Sequence, residues 1–173
     1  MTSAFSKLTL HTDQPPARGF EIRSPVSGLV SAPDDNAGTV YRSGLLPDAV
    51  QIQLQGQQLL APFTGAVSRL DMGGSRIILH HPQGLKLEIC FPDACQQQTM
   101  GFHWLVADRS KIQAGQQLLQ FDPSRLQRWS SPLTCLVSIV EHPKIQRLHS
   151  RTGFVAAGQD PLFWLELKST QAH

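Results

Sequence analysis

Three cysteines and seven histidines carry most of the reactive chemistry in this 173-residue chain. Cys90, Cys95 and Cys135 form neither a C-x-x-C pair nor an even framework, which suits reduced thiols in a reducing compartment. A thiol accepts a phosphoryl group or attacks a carbon only where cations or a helix N-terminus favour its thiolate. Near Cys90 the sequence places Glu88 and Asp93, which oppose a thiolate, while the reach of the cations Arg76 and Lys86 depends on the fold. The histidines are His11, His80, His81, His103, His142, His149 and His173, and the densest group is His80-His81-Pro82-Gln83-Gly84. A zinc hydrolase would need an H-x-x-x-D pair upstream of that turn and an H-x-H pair about one strand later. Ile89-Cys90-Phe91 stands at the later place, so His80 and His81 read as strand-end residues entering a turn. A Cys90/Cys95/His81 cluster matches no standard ligand spacing, and no metal site is expected.

The elements that position these residues are short. Thirteen Gly and twelve Pro are spread along the chain and leave little room for long helices. Strand character is found in Phe20 to Arg23, Val26 to Val30, Ala49 to Leu54, Gln58 to Ala61, Ala66 to Leu70, Arg76 to His80, Leu85 to Phe91, Gln116 to Phe121, Leu133 to Val140 and Leu162 to Leu167. Val50 to Leu54 and Leu85 to Ile89 alternate apolar with polar, as half-buried antiparallel strands do. One helix is expected, Pro123 to Trp129, with Asp122 as its cap and Pro123 in the first turn. Residues 1–18 carry no sustained period and are expected to be a flexible arm; a domain over 19–169 and a tail over 170–173 complete the division. Ser24-Pro25-Val26-Ser27-Gly28-Leu29-Val30 and Ala61-Pro62-Phe63-Thr64-Gly65-Ala66-Val67 repeat the form small-Pro-x-[Ser/Thr]-Gly-x-Val. Lys111 to Leu119 adds a strand, Gly turn and strand. The expected fold class is all-β: an antiparallel β-sandwich or barrel-sandwich hybrid with quasi-symmetric halves and one or two short peripheral helices. It resembles biotinyl and lipoyl carrier domains, without their exposed lysine hairpin.

Charge and hydropathy narrow the function. Fifteen Lys and Arg against thirteen Asp and Glu leave +2 with no long basic run, which disfavours nucleic acid. No stretch reaches the roughly 18 to 20 apolar residues of a membrane span, and the start lacks the apolar block of a secretory signal, so a cytoplasmic chain is expected.

Five stretches carry a resemblance: Ser24 to Gly28, Leu60 to Gly65, Gln83 to Ile89, Gly115 to Asp122 and Pro132 to Ile139. In this order and spacing, from about Phe20 to Lys168, the chain resembles the glucose-type enzyme IIA of the bacterial phosphoenolpyruvate-dependent sugar phosphotransferase system. The resemblance implies an antiparallel β-sandwich of the duplicated hybrid motif type, a cytoplasmic location and no cofactor. Family members take a phosphoryl group on a histidine from the histidine-containing phosphocarrier protein, pass it to a cysteine of enzyme IIB, and regulate other proteins by docking. Carried over, the phosphorylated histidine falls on Cys90 and the supporting histidine on Ser75, with Gly73 in place of a threonine and Pro92 in place of a glycine. Two adjacent imidazoles supply an in-line nucleophile and a donor for the equatorial oxygens; Ser75 and a neutral Cys90 do not.

The family's docking rim maps to Val40, Tyr41, Leu45 and Leu46, which stay apolar, and to Asp71, Glu88 and Gln96, where family members usually have apolar side chains; Gly38 replaces an acidic residue. Unpaired charges at an interface centre cost several kcal/mol by order of magnitude, so ancestral partners should bind poorly. Three functions follow: a degenerate enzyme IIA acting through protein partners, which could include phosphotransferase components; an active carrier using Cys90; or a zinc-dependent hydrolase of a related sandwich. Trp104, Trp129 and Trp164 could stack sugars, but Trp164, in Pro161 to Leu167, fits a core strand better.

Overall fold

Side-chain alternation builds a fold almost wholly of strands. The computed structural model describes residues 6–13, 19–34, 48–69, 76–92, 95, 101–128, 131–140 and 142–169. In chain order the strands are β1 (Leu8–His11), β2 (Phe20–Arg23), β3 (Gly28–Ser31), β4 (Ala49–Leu54), β5 (Gln58–Leu60), β6 (Gly65–Arg69), β7 (Arg76–His80) and β8 (Lys86–Cys90). They continue as β9 (Phe102–Trp104), β10 (Lys111–Ile112), β11 (Gln117–Phe121), β12 (Thr134–Ile139), β13 (Ile145–Arg151), β14 (Gly153–Val155) and β15 (Pro161–Leu167). The helix α1 (Pro123–Leu126) is shorter than expected; Asp122 caps it, its side chain accepting from the Ser124 and Arg125 amides.

The large sheet has the order β10-β6-β7-β8-β12-β4-β3-β14, a second has β1-β13-β15-β2, and a third has β5-β11-β9. All pairings are antiparallel except β1 with β13. Inward residues meet in one core that includes Val50, Ile52, Val67, Ile77, Leu79, Leu87, Ile89, Leu118, Leu119 and Phe163. Alternate positions of β7 and β8 supply four of these, so Arg76, Ile78 and His80 and, on β8, Lys86, Glu88 and Cys90 occupy the other face.

The repeat acquires a physical reason. Both copies lead into a strand that starts at the glycine, Gly28 or Gly65. A Cβ at Gly28 would run into the Gln53 carbonyl of β4, and one at Gly65 into the His80 carbonyl of β7. The glycines therefore let two strands close on a neighbour at the same step of each half. This also sets the start of β3 two residues later than the alternation from Val26 predicts.

Part of the expected flexible arm over residues 1–18 is instead strand. Leu8–His11 pairs in parallel with β13, Leu8 beside Leu148 and His11 beside Arg151. Asp48 Oδ1 fastens its start, accepting from the Ser6 hydroxyl at 2.8 Å and the Lys7 amide at 2.7 Å. At its end His11 Nε2 lies 2.9 Å from His149 Nδ1, and His149 Nε2 is 3.4 Å from Glu166. Leu8-Thr9-Leu10-His11 alternates for only four residues, too short a run to announce a strand, and the partners that fix it are distant in sequence. β13 also lacks a clean period in its sequence, because a register shift between Ile145 and Arg147 breaks its alternation. β15 is a core strand through Leu162, Phe163 and Leu165, whereas Trp164, 7% exposed, lies across from His149 and Glu21 and is not among the core cluster.

Candidate functional site

Cys90 ends β8, between Arg76 of β7 and Leu136 of β12. Alternation puts Glu88 on the same face, one pleat away, beside Ile78 and Ser138. The diagonal neighbours Arg76 and Glu88 pair: Nε lies 3.1 Å and an Nη 2.5 Å from Glu88 Oε1. The Cys90 thiol donates to the same oxygen at 3.4 Å. One carboxylate oxygen thus collects three donors.

Burial decides the chemistry of this group. Cys90 is 6% and Glu88 4% exposed. Burial pushes the Cys90 thiol up to about 12, and the Glu88 carboxylate pushes in the same direction; Arg76 pulls the other way without prevailing. Burial lowers the Arg76 guanidinium, Glu88 and Cys90 together raise it, and the net shift is upward. Arg76 therefore serves the carboxylate, and Cys90 is a protonated thiol at neutral pH. Cys95 is driven up to about 11 and Cys135 further upward, both by burial first. Beside Glu88, the fully buried Ser138 hydroxyl has no hydrogen-bond partner.

Of the expected site residues, the structure brings Cys90 and Glu88 together. It removes Glu88 from an exposed docking rim, because the side chain is buried and paired with Arg76. Ser75, Val40, Tyr41, Leu45, Leu46, Asp71 and Gln96, like Gly38, Gly73 and Trp129, lie outside the described residues. Arg76 is the residue whose role the sequence left open; only the β7–β8 register makes it the neighbour of Cys90. Trp104 carries the Arg69 guanidinium 4.8 Å from its ring centroid, so that face is covered by the protein's own cation.

Apart from the His11–His149 contact, the described histidines do not gather at one site. His80 closes β7 with Nε2 3.1 Å from the Ser68 hydroxyl, and His81 begins the turn, its amide bonded to the Leu85 carbonyl. Among the described residues, no group of three or more His, Cys, Asp or Glu could hold a metal ion. Also among the described residues, no helix is long and apolar enough to cross a membrane.

Comparison with known proteins gives these features a setting. The family model described as phosphoenolpyruvate-dependent sugar phosphotransferase system, EIIA 1, matches residues 20–145. The chain is 20% identical over 147 residues to the glucose-specific EIIA component of Haemophilus influenzae, covering 84% of this chain and 89% of that protein. It is 21% identical over 146 residues to the corresponding component of Buchnera aphidicola, covering 84% and 91%. In fold it is similar to the glucose permease IIA of Mycoplasma capricolum, with a TM-score of 0.70, 16% identity, and coverage of 84% of this chain and 95% of that one. The match to the family model spans most of the strands of the large sheet, including β7 and β8 with Arg76, Glu88 and Cys90. The chain therefore belongs to the EIIA 1 family of the phosphoenolpyruvate-dependent sugar phosphotransferase system.

Proposed function

We propose that this EIIA-like protein has lost the phosphoryl-carrying step and acts in the cytoplasm as a regulatory module that binds a protein partner, with phosphotransferase components among the candidates. The single observation supporting this reading is the state of Cys90. If that position is the family's acceptor site, its occupant is a buried thiol raised to about 12, beside a carboxylate that also holds the neighbouring guanidinium of Arg76. In-line attack on phosphorus needs an available lone pair and donors for the equatorial oxygens. Among the described residues, the cation beside Cys90, Arg76, is already bound by Glu88.

The test is incubation of the whole chain with phosphoenolpyruvate, enzyme I and the histidine-containing phosphocarrier protein, followed by intact-mass measurement. The expected spectrum is unchanged. A stoichiometric gain of one phosphoryl group that disappears in Cys90→Ala overturns the reading and establishes the second one, a carrier that forms a thiophosphate on Cys90.

A further inference from the structure

At the opposite end of the β7–β8 hairpin, the same sheet face carries a different row. Register places Lys111 of β10 beside Ala66 of β6, Ala66 beside His80 of β7, and His80 beside Lys86 of β8. With strands about 4.8 Å apart, Lys111 and His80 stand roughly 10 Å apart across a position that holds only a methyl group. That gap belongs to an open groove of about 760 Å³, which also reaches Thr64, His81 and Gln116. This volume is within the range of small-ligand sites. No carboxylate among the described residues lines it.

The hydrogen bonds around the groove leave unengaged donor groups on its lining residues. The Ala114 amide donates to Thr64 Oγ1 at 3.1 Å, so one oxygen lone pair is engaged and the hydroxyl hydrogen remains to donate. The Gln113 amide donates to Gln116 Oε1 at 2.9 Å, which fixes that amide's orientation and leaves its NH2 group. The Gln83 amide donates to His81 Nδ1 at 3.1 Å, so the neutral ring carries its proton on Nε2. The His81 ring is further oriented by an edge contact with Phe63, centroids 5.2 Å apart. Lys111 adds an ammonium, which has donors only. Acceptors on three side chains are thus engaged by backbone N–H groups, while four donors remain around a floor of small and apolar residues.

We propose that this groove binds an oxyanion, a phosphate or carboxylate group, seated over Ala66 against Lys111 and held by the His81 Nε2–H, the Thr64 hydroxyl and the Gln116 amide. The site is independent of Cys90 and of whether the chain carries phosphate. The adjoining Pro82, which is exposed, gives an organic anion apolar surface beside its charged group.

The experiment is amide NMR of the full chain, titrated separately with inorganic phosphate and with acetate, sodium chloride holding ionic strength constant. Saturable shifts centred on Gly65, Ala66, His81 and Lys111 to Gln113 are expected. Saturation by phosphate alone, acetate alone or both assigns the anion. Lys111→Gln is expected to weaken binding at least about tenfold, as loss of a charged hydrogen bond does. Lys144→Gln, on an exposed turn elsewhere, should leave it unchanged. Ala66→Leu, which fills the gap, should abolish it, with the retained spectrum of the other strands showing that the variant folds. No saturable shift with either anion, or equal weakening by Lys144→Gln, overturns the proposal.

Discussion

The two ends of the β7–β8 hairpin share a sheet face but treat charge in opposite ways. At one end Arg76 and Glu88 neutralise each other in a largely buried setting, and the Cys90 thiol is drawn into the same contact. At the other, Lys111 and Lys86 are exposed, no ion pair engages them among the described residues, and the intervening Ala66 leaves space. A buried charge has to find its partner inside the protein, whereas a surface cation keeps its water and can exchange it for a ligand. Position along one hairpin thus separates a closed polar cluster from an open one.

The largest way to break this contrast is Arg76→Met. It leaves Glu88, whose side chain is only 6% exposed, without its cation, and should cost about 3 kcal/mol in urea unfolding. Replacing both partners, Arg76→Met with Glu88→Leu, should recover most of that loss, because no uncompensated charge is left. If the single variant costs nothing, the closed end is held by packing rather than by the ion pair.

Alkaline titration gives the next effect. Cys90 is raised from an ordinary value of 9.0 to about 12, and Cys95 to about 11. The folded state therefore holds these protons more tightly than the unfolded chain. Their contribution is complete below about pH 9 and falls as pH rises toward the folded-state values, by up to about 1.4 kcal/mol per pH unit for each thiol. Cys90→Ala should flatten part of that slope in unfolding measured from pH 8 upward; an unchanged slope would mean that Cys90 is open to solvent. At the open end, Lys86→Met should change stability by no more than about 0.5 kcal/mol, since an exposed side chain outside any buried network is removed.

How far the sequence is legible depends on the range of the interaction. β4 and β8 alternate visibly, and α1 is announced by Asp122 and Pro123. β1 is not, because Asp48 and His149 fix it from far along the chain. At the candidate site, Cys90 and Glu88 could be named from their spacing, and the opposition of Glu88 to a thiolate follows from simple electrostatics. The pairing of Arg76 could not, since it depends on which residue of β7 faces which residue of β8. The donor-rich groove was invisible for the same reason: its residues come from β6, β7, β10 and the turns beside them.

By itself the sequence determined an all-β chain of the EIIA type, with a cysteine and no histidine at residue 90 and a glycine at each repeated strand start. Periodicity, turn residues and ordered motifs are local properties, and local sequence suffices to read them. Only the tertiary structure decided that Glu88 is buried rather than offered to a partner, that Arg76 is bound to it, and that Lys111 and His80 flank an empty step above Ala66. Those outcomes depend on strand register and on depth below the surface, which together determine which charges meet one another and which meet water.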